Sequence, residues 1–330
     1  MRVLVLGGTR FIGRFVVDEL TRRGHDVTLF HRGKTETSPP PAVHHLRGDF
    51  GDFPRHLDAL LARAPEVVLD VVPFLDKAGH GVTHFRGVAR RAVVISSCDV
   101  YRAYGRLHRT EPGTPDPVPL TETSPLRSLP AEELADAGID YDNIELEKAV
   151  SSVRELPVTI LRLPATFGPA DYQHRLYPYL RRMDDGRPAI LLEERHAAWH
   201  WPRGYVENVA AAIALAVTDE RAAGRIYNVT DECPSQEEWV RQIASAAGWS
   251  GAVVVVPAER LPDRLRPRVD LSQDYALDAS RIGHELGFAP AVGHDEGLRR
   301  TVEWERANPP ESVEPLDYET EDNVLDALTS

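Results

Sequence analysis

The fold of this chain is decided by one stretch near its N-terminus, Val3-Leu4-Val5-Leu6-Gly7-Gly8-Thr9-Arg10-Phe11-Ile12-Gly13. A short apolar run that ends in glycines is typical of a buried parallel strand followed by a tight turn. Residues 11–23 continue with apolar side chains at helical spacing. Glycines let a pyrophosphate approach the backbone, and a helix N-terminus supplies free N–H groups. The stretch therefore predicts a dinucleotide site formed by Gly7, Gly8, Thr9, Arg10, Phe11, Ile12 and Gly13.

Strand and helix patterns alternate through the rest of the first half. Apolar runs predict strands at 27–30, 67–72, 92–96 and 158–161, and helical spacing predicts helices at 57–63 and 144–154. This alternation indicates an α/β, Rossmann-type, doubly wound parallel sheet. The less regular second half, with predicted helices at 177–185, 206–218 and 236–247 and strands at 226–229 and 253–256, suits a smaller C-terminal substrate lobe.

The patterns divide the chain into three parts. Residues 1–165, together with part of 203–225, are predicted to form the dinucleotide-binding domain, and residues 166–308 mainly the substrate-binding lobe. The acidic tail 309–330 is expected to be flexible. The proline-rich stretch 101–141 is interpreted as an active-site flap, because long loops without regular structure are usually functional or disordered.

Composition limits the partners. The chain has 330 residues, 42% of them hydrophobic, and a net charge of −13, and its last twenty residues hold seven acids and no Lys or Arg. Nucleic acid is not expected as a partner, since no basic face is visible. No membrane contact is expected either, because no run of eighteen apolar residues occurs. Two cysteines give no disulfide framework and the N-terminus does not resemble a signal peptide, so we expect a cytoplasmic protein with a small-molecule substrate.

The end of the second predicted strand indicates the cofactor. An acid there would bind the ribose 2′-hydroxyl of NAD, whereas an arginine accommodates the 2′-phosphate of NADP. The sequence has Phe30-His31-Arg32-Gly33-Lys34, with no acid, so Arg32, with help from Arg10, favours NADP(H) over NAD(H). The alternative is that these cations are ordinary solvated surface charges. Asp49, after the third strand, is a candidate acceptor for the adenine amino group.

Several motifs in a fixed order carry a family resemblance. They are Ser96-Ser97-Cys98-Asp99-Val100-Tyr101, Leu161-Arg162-Leu163-Pro164-Ala165-Thr166-Phe167-Gly168-Pro169 and Arg203-Gly204-Tyr205-Val206-Glu207-Asn208-Val209-Ala210. With the glycine turn, they resemble the extended and atypical short-chain dehydrogenase/reductases, often called NAD-dependent epimerase/dehydratases. The resemblance extends to about Asn308. It implies an enzyme of epimerase, dehydratase or oxidoreductase type, with Pro164 beside the cofactor.

The resemblance also implies a general-acid tyrosine with a lysine four residues later, and here the sequence departs from the family. Anchoring the family's Tyr-x-x-x-Lys-x-x-x-Glu pattern on Tyr141 puts Glu145 at the lysine position. Anchoring it on Glu147 puts Asn143 at the lysine position and Ile139 at the tyrosine position. The second register is preferred because it keeps the following apolar residues in phase. Neither register restores the pair.

Three residues remain as catalytic candidates. Ser97 matches the family's substrate-polarising serine, Asp99 stands where the family's dehydratases carry an acid, and Tyr141 is the nearest tyrosine. The first hypothesis is an NADP(H)-dependent enzyme acting on a carbonyl or hydroxyl group of a small metabolite, with altered acid–base residues. The alternatives are a non-redox isomerase, dehydratase or cyclase that keeps the dinucleotide only structurally, and a non-catalytic NADP sensor. Asp99 has an equally good structural interpretation as a helix or turn cap.

A few weaker signals complete the analysis. No metal is expected, because the histidine pairs 80/84 and 196/200 have helical spacing but no evident third ligand. Cys98 is interpreted as small buried filler. A helical face within 141–154 is a candidate homodimer contact. Further candidates for the wall of the substrate pocket are Tyr172, His174, His200, Trp201 and Arg203.

Overall fold

The computed structural model describes residues 1–34, 42–72, 75–76, 79–128, 143–312 and 315–329. The strands are β1 Arg2–Leu6, β2 Asp26–His31, β3 His44–Arg47, β4 Val67–Asp70, β5 Leu75–Asp76, β6 Gly79–His80, β7 Arg91–Ser97, β8 Val158–Leu163, β9 Ala165–Phe167, β10 Ala189–Glu193, β11 Arg203–Tyr205, β12 Ile226–Asn228 and β13 Ala252–Val256. The helices are α1 Phe11–Arg22, α2 Phe53–Leu61, α3 Arg102–Leu107, α4 Asn143–Ser151, α5 Tyr177–Asp184, α6 Glu194–Ala198, α7 Val206–Thr218, α8 Gln236–Ala247, α9 Ser280–Leu286, α10 His294–Ala307 and α11 Tyr318–Thr329.

A parallel seven-stranded sheet forms the centre of the molecule, in the order β12-β8-β7-β4-β1-β2-β3. Leu6 at the end of β1 stands level with Phe30 of β2 and Asp70 of β4. From β1 the chain builds outward first through β2 and β3 and then, on the other side, through β4 and β7. Ligands of such sheets bind beyond the carboxyl ends of the strands, at the point where the direction reverses. The predicted Rossmann-type fold is confirmed.

Both faces of the sheet are covered by helices. On one face α1 and α7 pack on the strands, with Val5, Val16 and Ile213 in one fully buried cluster. On the other face α2 and α4 pack on Leu4 and neighbouring strand residues. The side chain of Arg91 crosses under the C-terminal end of α7 and donates to the carbonyl oxygens of residues 216 and 219 at 2.8 and 2.7 Å. These contacts attach α7 to the sheet; the helix lies within 203–225, part of which is predicted to belong to the dinucleotide-binding domain.

The C-terminal lobe is built around the parallel pair β10 and β13 and the helices α5, α8 and α10. Helix α8 begins at a capping box, in which Ser235 Oγ accepts from Glu238 N at 3.2 Å and Glu238 Oε2 accepts from Ser235 N at 2.8 Å. Trp239 of α8 is buried against Phe167, with ring centroids 5.0 Å apart. Within the described ranges, no helix is long and apolar enough to cross a membrane.

The acidic tail, expected to be flexible, contains helix α11. Glu321 of this helix accepts from Arg182 Nη2 at 2.6 Å, and Val324 packs with Val256 and Leu261 of the C-terminal lobe. The tail therefore has specific partners more than sixty residues away in the sequence. The composition of the tail does not reveal this packing, because the cations that pair with it, Arg182, Arg187 and Arg264, lie in other segments.

The proline-rich stretch interpreted as a flap packs against the C-terminal lobe over the part that the structure describes. The buried carboxylate of Asp116 accepts from Arg102 Nε and Arg106 Nε, each at 3.1 Å. The contact with the C-terminal lobe is made by Leu120, which is 1% exposed and whose backbone N donates to Ala276 O at 2.7 Å. Residues 102–128 are thus anchored by ion pairs and backbone hydrogen bonds. The remaining residues 129–142, which include Tyr141 and Ile139, lie outside the described residues.

Candidate functional site

A cavity of about 770 Å³ opens beyond the carboxyl ends of β1, β2, β4, β7 and β8. This volume lies within the range of cofactor sites. It is lined by Gly7, Gly8, Thr9, Arg10, Phe11, Ile12, Gly13, His31, Arg32, Gly33, Lys34, Phe50, Val71, Val72, Ile95, Ser96, Ser97, Asn143, Leu163, Pro164, Thr166, Tyr172 and Arg175. The sequence predicts contacts to the cofactor or its substrate for all seven residues of the glycine turn and for Arg32, Pro164 and Ser97. Every one of these residues lines the cavity.

The floor of the cavity is the glycine turn, where side chains would not fit. Gly7 has φ +90°, and a Cβ atom on it would lie 2.4 Å from Val72 Cγ2. A Cβ atom on Gly13 would lie 2.4 Å from Gly8 Cα, so only glycine lets α1 start this close to the turn. The first backbone N–H groups of α1 consequently face the cavity. This cradle fits the pyrophosphate of a dinucleotide, because it combines a bare backbone with a positive helix end.

One end of the cavity is cationic. Arg32 and Lys34 line it, and neither makes a hydrogen bond or an ion pair with another described residue. Among the described residues that line the cavity, none is acidic. His31 is neutral here: burial lowers its pKa, and the neighbouring His45 and Arg47 lower it further. The positive charge at this end therefore comes from the arginine and the lysine.

Asp49, predicted to contact adenine, does not line the cavity. Its Oδ1 accepts from Gly51 N at 2.9 Å, so it caps the short helix Phe50–Asp52. The next residue, Phe50, lines the cavity instead, with its ring edge-on to Phe30 at 5.2 Å. The end of the third strand therefore contributes an apolar surface to the cavity, whereas the sequence predicted a carboxylate there.

At the other end of the cavity, Ser97 and Asp99, two of the three catalytic candidates, meet Asn143. Ser97 Oγ accepts from Asp99 N at 3.2 Å. Asn143 Nδ2 donates to Asp99 Oδ1 at 3.0 Å and to Oδ2 at 3.3 Å. Ser97 and Asn143 line the cavity, whereas Asp99 lies behind them. The serine hydroxyl thus belongs to the cavity wall, and the asparagine orients the carboxylate.

The position of α4 is set by a buried ion pair. Glu147, 5% exposed, accepts from Arg162 Nη2 at 2.7 Å and from Arg162 Nε at 3.0 Å. Ser96 Oγ donates to the same carboxylate at 2.7 Å. Because Asn143 precedes Glu147 by four residues, both lie on one face of the helix. The ion pair between Glu147 and Arg162 therefore fixes the position of α4 and keeps Asn143 in the cavity wall.

The opposite wall comes from the C-terminal lobe. Thr166, Tyr172 and Arg175 line the cavity there, and Arg175 also pairs with Asp171 at 2.6 Å. Behind them lies Arg203, 9% exposed, which faces no carboxylate among the described residues. Its Nη2 donates to Gln236 Oε1 at 3.3 Å, its Nε has no partner, and its guanidinium covers the ring of Trp239 at 4.6 Å. Burial lowers its pKa to about 10, and the charge of Arg175 acts in the same direction.

Several predicted residues lie elsewhere or were missed. Tyr141 is outside the described residues, and His200, whose Nδ1 lies 2.9 Å from Asp274 Oδ2, is not among the residues that line the cavity. Cys98 is buried, and burial raises the pKa of its thiol. Among the described residues, no group of three or more potential metal ligands occurs. Arg175 was missed, because it follows the family-like motif at a distance that no pattern marks.

Comparisons with known proteins agree with this geometry. A family model described as the NAD dependent epimerase/dehydratase family matches residues 3–78 and 81–230. The dTDP-glucose 4,6-dehydratase of Streptomyces griseus is 31% identical over 288 residues, which cover 86% of this chain and 79% of that protein. The chloroplast stem-loop binding protein of 41 kDa b of Arabidopsis thaliana is 24% identical over 314 residues, covering 90% of this chain and 77% of that protein.

Solved structures add a likeness in fold. The UDP-glucose-4-epimerase of Stenotrophomonas maltophila, with bound NAD and formylated UDP-arabinopyranose, has a TM-score of 0.68 and 19% identity to this chain. The match covers 93% of this chain and 98% of that one. At this identity the likeness shows the fold alone.

Proposed function

Because the chain belongs to the NAD dependent epimerase/dehydratase family, we propose that it binds a nicotinamide dinucleotide, with NADP(H) preferred, and acts on a carbonyl or hydroxyl group of a small metabolite. The observation that carries this proposal is the continuous cavity from the cationic end at Arg32 and Lys34, across the glycine turn, to Ser97 and Asn143. The cavity has the two features a dinucleotide needs, a bare backbone for the pyrophosphate and a hydroxyl at the reacting end.

The preference for NADP(H) rests on charge. A 2′-phosphate carries two negative charges near neutral pH, and Arg32 and Lys34 have no described acidic neighbour that would neutralise them. An NAD-specific site would hold an acid here to accept from the ribose hydroxyls, and such an acid would repel the phosphate.

Calorimetry with NADPH and NADH tests this preference. We expect NADPH to bind at least tenfold more tightly, and Arg32→Ala to weaken NADPH by about tenfold or more, since a charge-assisted hydrogen bond contributes roughly 1.5–3 kcal/mol. NADH binding should change little. Arg14→Ala, on the outer side of α1, is the matched control and should leave both affinities unchanged. Equal binding of the two cofactors by the unmodified protein would refute the preference.

For the chemistry, the dinucleotide supplies hydride transfer, and the chain supplies position and protons. Ser97 Oγ donates to the substrate oxygen, because its hydroxyl lines the cavity and serves Asp99 N as an acceptor. Asp99, oriented by Asn143, serves as the acid–base group in place of the family's tyrosine and lysine. An asparagine at the lysine position cannot lower the pKa of a tyrosine as an ammonium would.

The substrate that we propose carries a phosphate or carboxylate group. Arg203 is buried without a described carboxylate partner, and a buried unpaired guanidinium destabilises the protein unless an anion reaches it. Arg175, which lines the cavity and is paired with Asp171, lies close enough to Arg203 to lower the pKa of its guanidinium. The Streptomyces relative is named for dTDP-glucose, a substrate with two phosphates, which supports an anion of this kind.

A non-redox isomerase or dehydratase is the second candidate. The Asn143–Asp99 hydrogen bond favours it, because the pair provides a base without the cation that carbonyl reduction by a tyrosine needs. The absorbance of NADPH at 340 nm separates the candidates. Stoichiometric loss of absorbance with a carbonyl substrate supports the redox enzyme, whereas substrate conversion at constant absorbance supports the second.

A further inference from the structure

A strained turn of the C-terminal lobe reaches across the cavity. It comprises residues 168–176, in which Ala170 has φ +68° and His174 has φ +48°. Residues with a Cβ atom avoid this left-handed region, so they occupy it only where the surroundings hold them there. Two such residues within one short segment indicate that the surrounding structure holds the turn in this conformation beside the cavity.

The base of the turn is held by two polar contacts. The buried carboxylate of Asp171 accepts from the backbone N of Gln173 at 3.1 Å and from Arg175 Nη1 at 2.6 Å. His174 Nδ1 lies 2.7 Å from Oε2 of Glu305, a fully buried residue of α10. The His174 ring also stacks on the neighbouring Trp304, with centroids 5.6 Å apart. The base is thereby attached to a helix outside the cavity.

The tip of the turn is an exposed aromatic side chain over the glycine turn. Tyr172 is 60% exposed, although it lines the cavity. Its ring meets Phe11 edge-on at 6.4 Å, and the guanidinium of Arg10 lies 5.6 Å from its centroid. Arg10 is the N-cap residue of α1. The only two described contacts between Tyr172 and other rings or cations thus connect the C-terminal lobe to the pyrophosphate cradle.

We propose that Tyr172 and Arg10 form a clasp that covers the bound dinucleotide and slows its release, with His174 and Glu305 as positioning residues. The proposal rests on the proposed dinucleotide site. Across the cavity, the contact closes one side of the pyrophosphate cradle with an aromatic ring and a cation, which together exclude water from the phosphates and complement their charge. Dissociation then requires the ring and the guanidinium to separate.

Stopped-flow fluorescence of NADPH displaced by excess NADP⁺ tests the clasp. Tyr172→Ala should accelerate dissociation by roughly 3- to 10-fold, with a smaller change in the association rate. Gln173→Ala, an exposed neighbour in the same turn, is the matched control and should match the unmodified protein. His174→Asn removes the contact to Glu305 but suits the left-handed backbone, and should accelerate dissociation less than Tyr172→Ala.

The outcomes separate the two proposals. If the unmodified protein binds neither NADPH nor NADH, the proposed function fails and the clasp fails with it. If NADPH binds but Tyr172→Ala dissociates within twofold of the unmodified rate, roughly the scatter expected for a neutral change, only the clasp is refuted. Because Tyr172 is mostly exposed, its replacement leaves the fold intact, and unchanged thermal unfolding checks this.

Discussion

Replacing Arg203 by methionine should stabilise the ligand-free protein. The guanidinium is 9% exposed, and burial lowers its pKa from 12.5 to about 10. At about 1.4 kcal/mol per pH unit, this shift corresponds to roughly 3 kcal/mol of unfavourable free energy in the folded state. The contact with Trp239 and the long hydrogen bond to Gln236 return roughly 1–2 kcal/mol. We therefore expect Arg203→Met to raise the free energy of unfolding by about 1–2 kcal/mol.

The pH range of this effect follows from its sign. A base with a folded-state pKa below its unfolded value destabilises the protein at every pH below the folded pKa. The penalty diminishes only as the pH rises through about 10. The gain from Arg203→Met should consequently be constant between pH 6 and 9.

Arg91 provides the matched control, because it is a second buried arginine with the opposite environment. It is 4% exposed and donates to the backbone carbonyl groups of residues 216, 217 and 219 at the end of α7. Arg91→Met leaves these carbonyl groups buried without partners, at a cost of roughly 2–4 kcal/mol. Urea denaturation followed by circular dichroism measures both variants. If Arg203→Met loses as much stability as Arg91→Met, the charge of the Arg203 guanidinium is compensated within the protein, and the inference that it binds an anion is refuted.

Two further predictions concern the reacting end, measured as substrate turnover. Asp99→Asn should lower kcat by roughly 100-fold or more, whereas Tyr141→Phe should be mild, because we assign acid–base work to the aspartate; the reverse order would return that role to the tyrosine. The double change Ile139→Tyr with Asn143→Lys should create or raise NADPH-dependent carbonyl reduction, and a folded, cofactor-binding variant without this gain would contradict the register anchored on Glu147.

The sheet could be predicted because its signals are local. Parallel strands buried on both faces read as apolar runs, and the runs at 27–30 and 92–96 lie within the observed β2 and β7. Helices α7 and α8 were predicted to the residue, since α8 begins at a capping serine and ends at Gly248 with φ +69°. Strand ends differ by one or two residues: β7 and β8 extend beyond the predicted runs, whereas β4 ends at Asp70, two residues before the predicted end.

The packing of the tail could not be predicted because its partners are remote in the sequence, and that of the proline-rich stretch because no pattern marks its ion pairs. In the sequence, Glu321 is one of several acids in an acidic tail. Its pairing with Arg182 follows only from the folded structure. Likewise, Asp116 stands among prolines, and its two arginines sit on a short helix that composition does not mark. In both cases a charged residue, which suggests exposure, is buried by pairing. Sequence patterns show hydrophobic residues at fixed spacing and do not indicate which charged residues pair in the folded chain.

The same distinction divides the candidate site. The pyrophosphate cradle is continuous in sequence, from Gly7 to Gly13, so one motif predicts it. The substrate side joins Ser97 of β7, Asn143 of α4, Arg203 of β11 and Arg175 of the loop before α5. No spacing rule relates them, and their chemistry becomes visible only as geometry: a serine hydroxyl in the cavity wall, an amide that orients a carboxylate, and a buried cation without a described carboxylate partner. The cofactor could therefore be proposed from the sequence, whereas the anionic character of the substrate depends on the folded position of a single arginine.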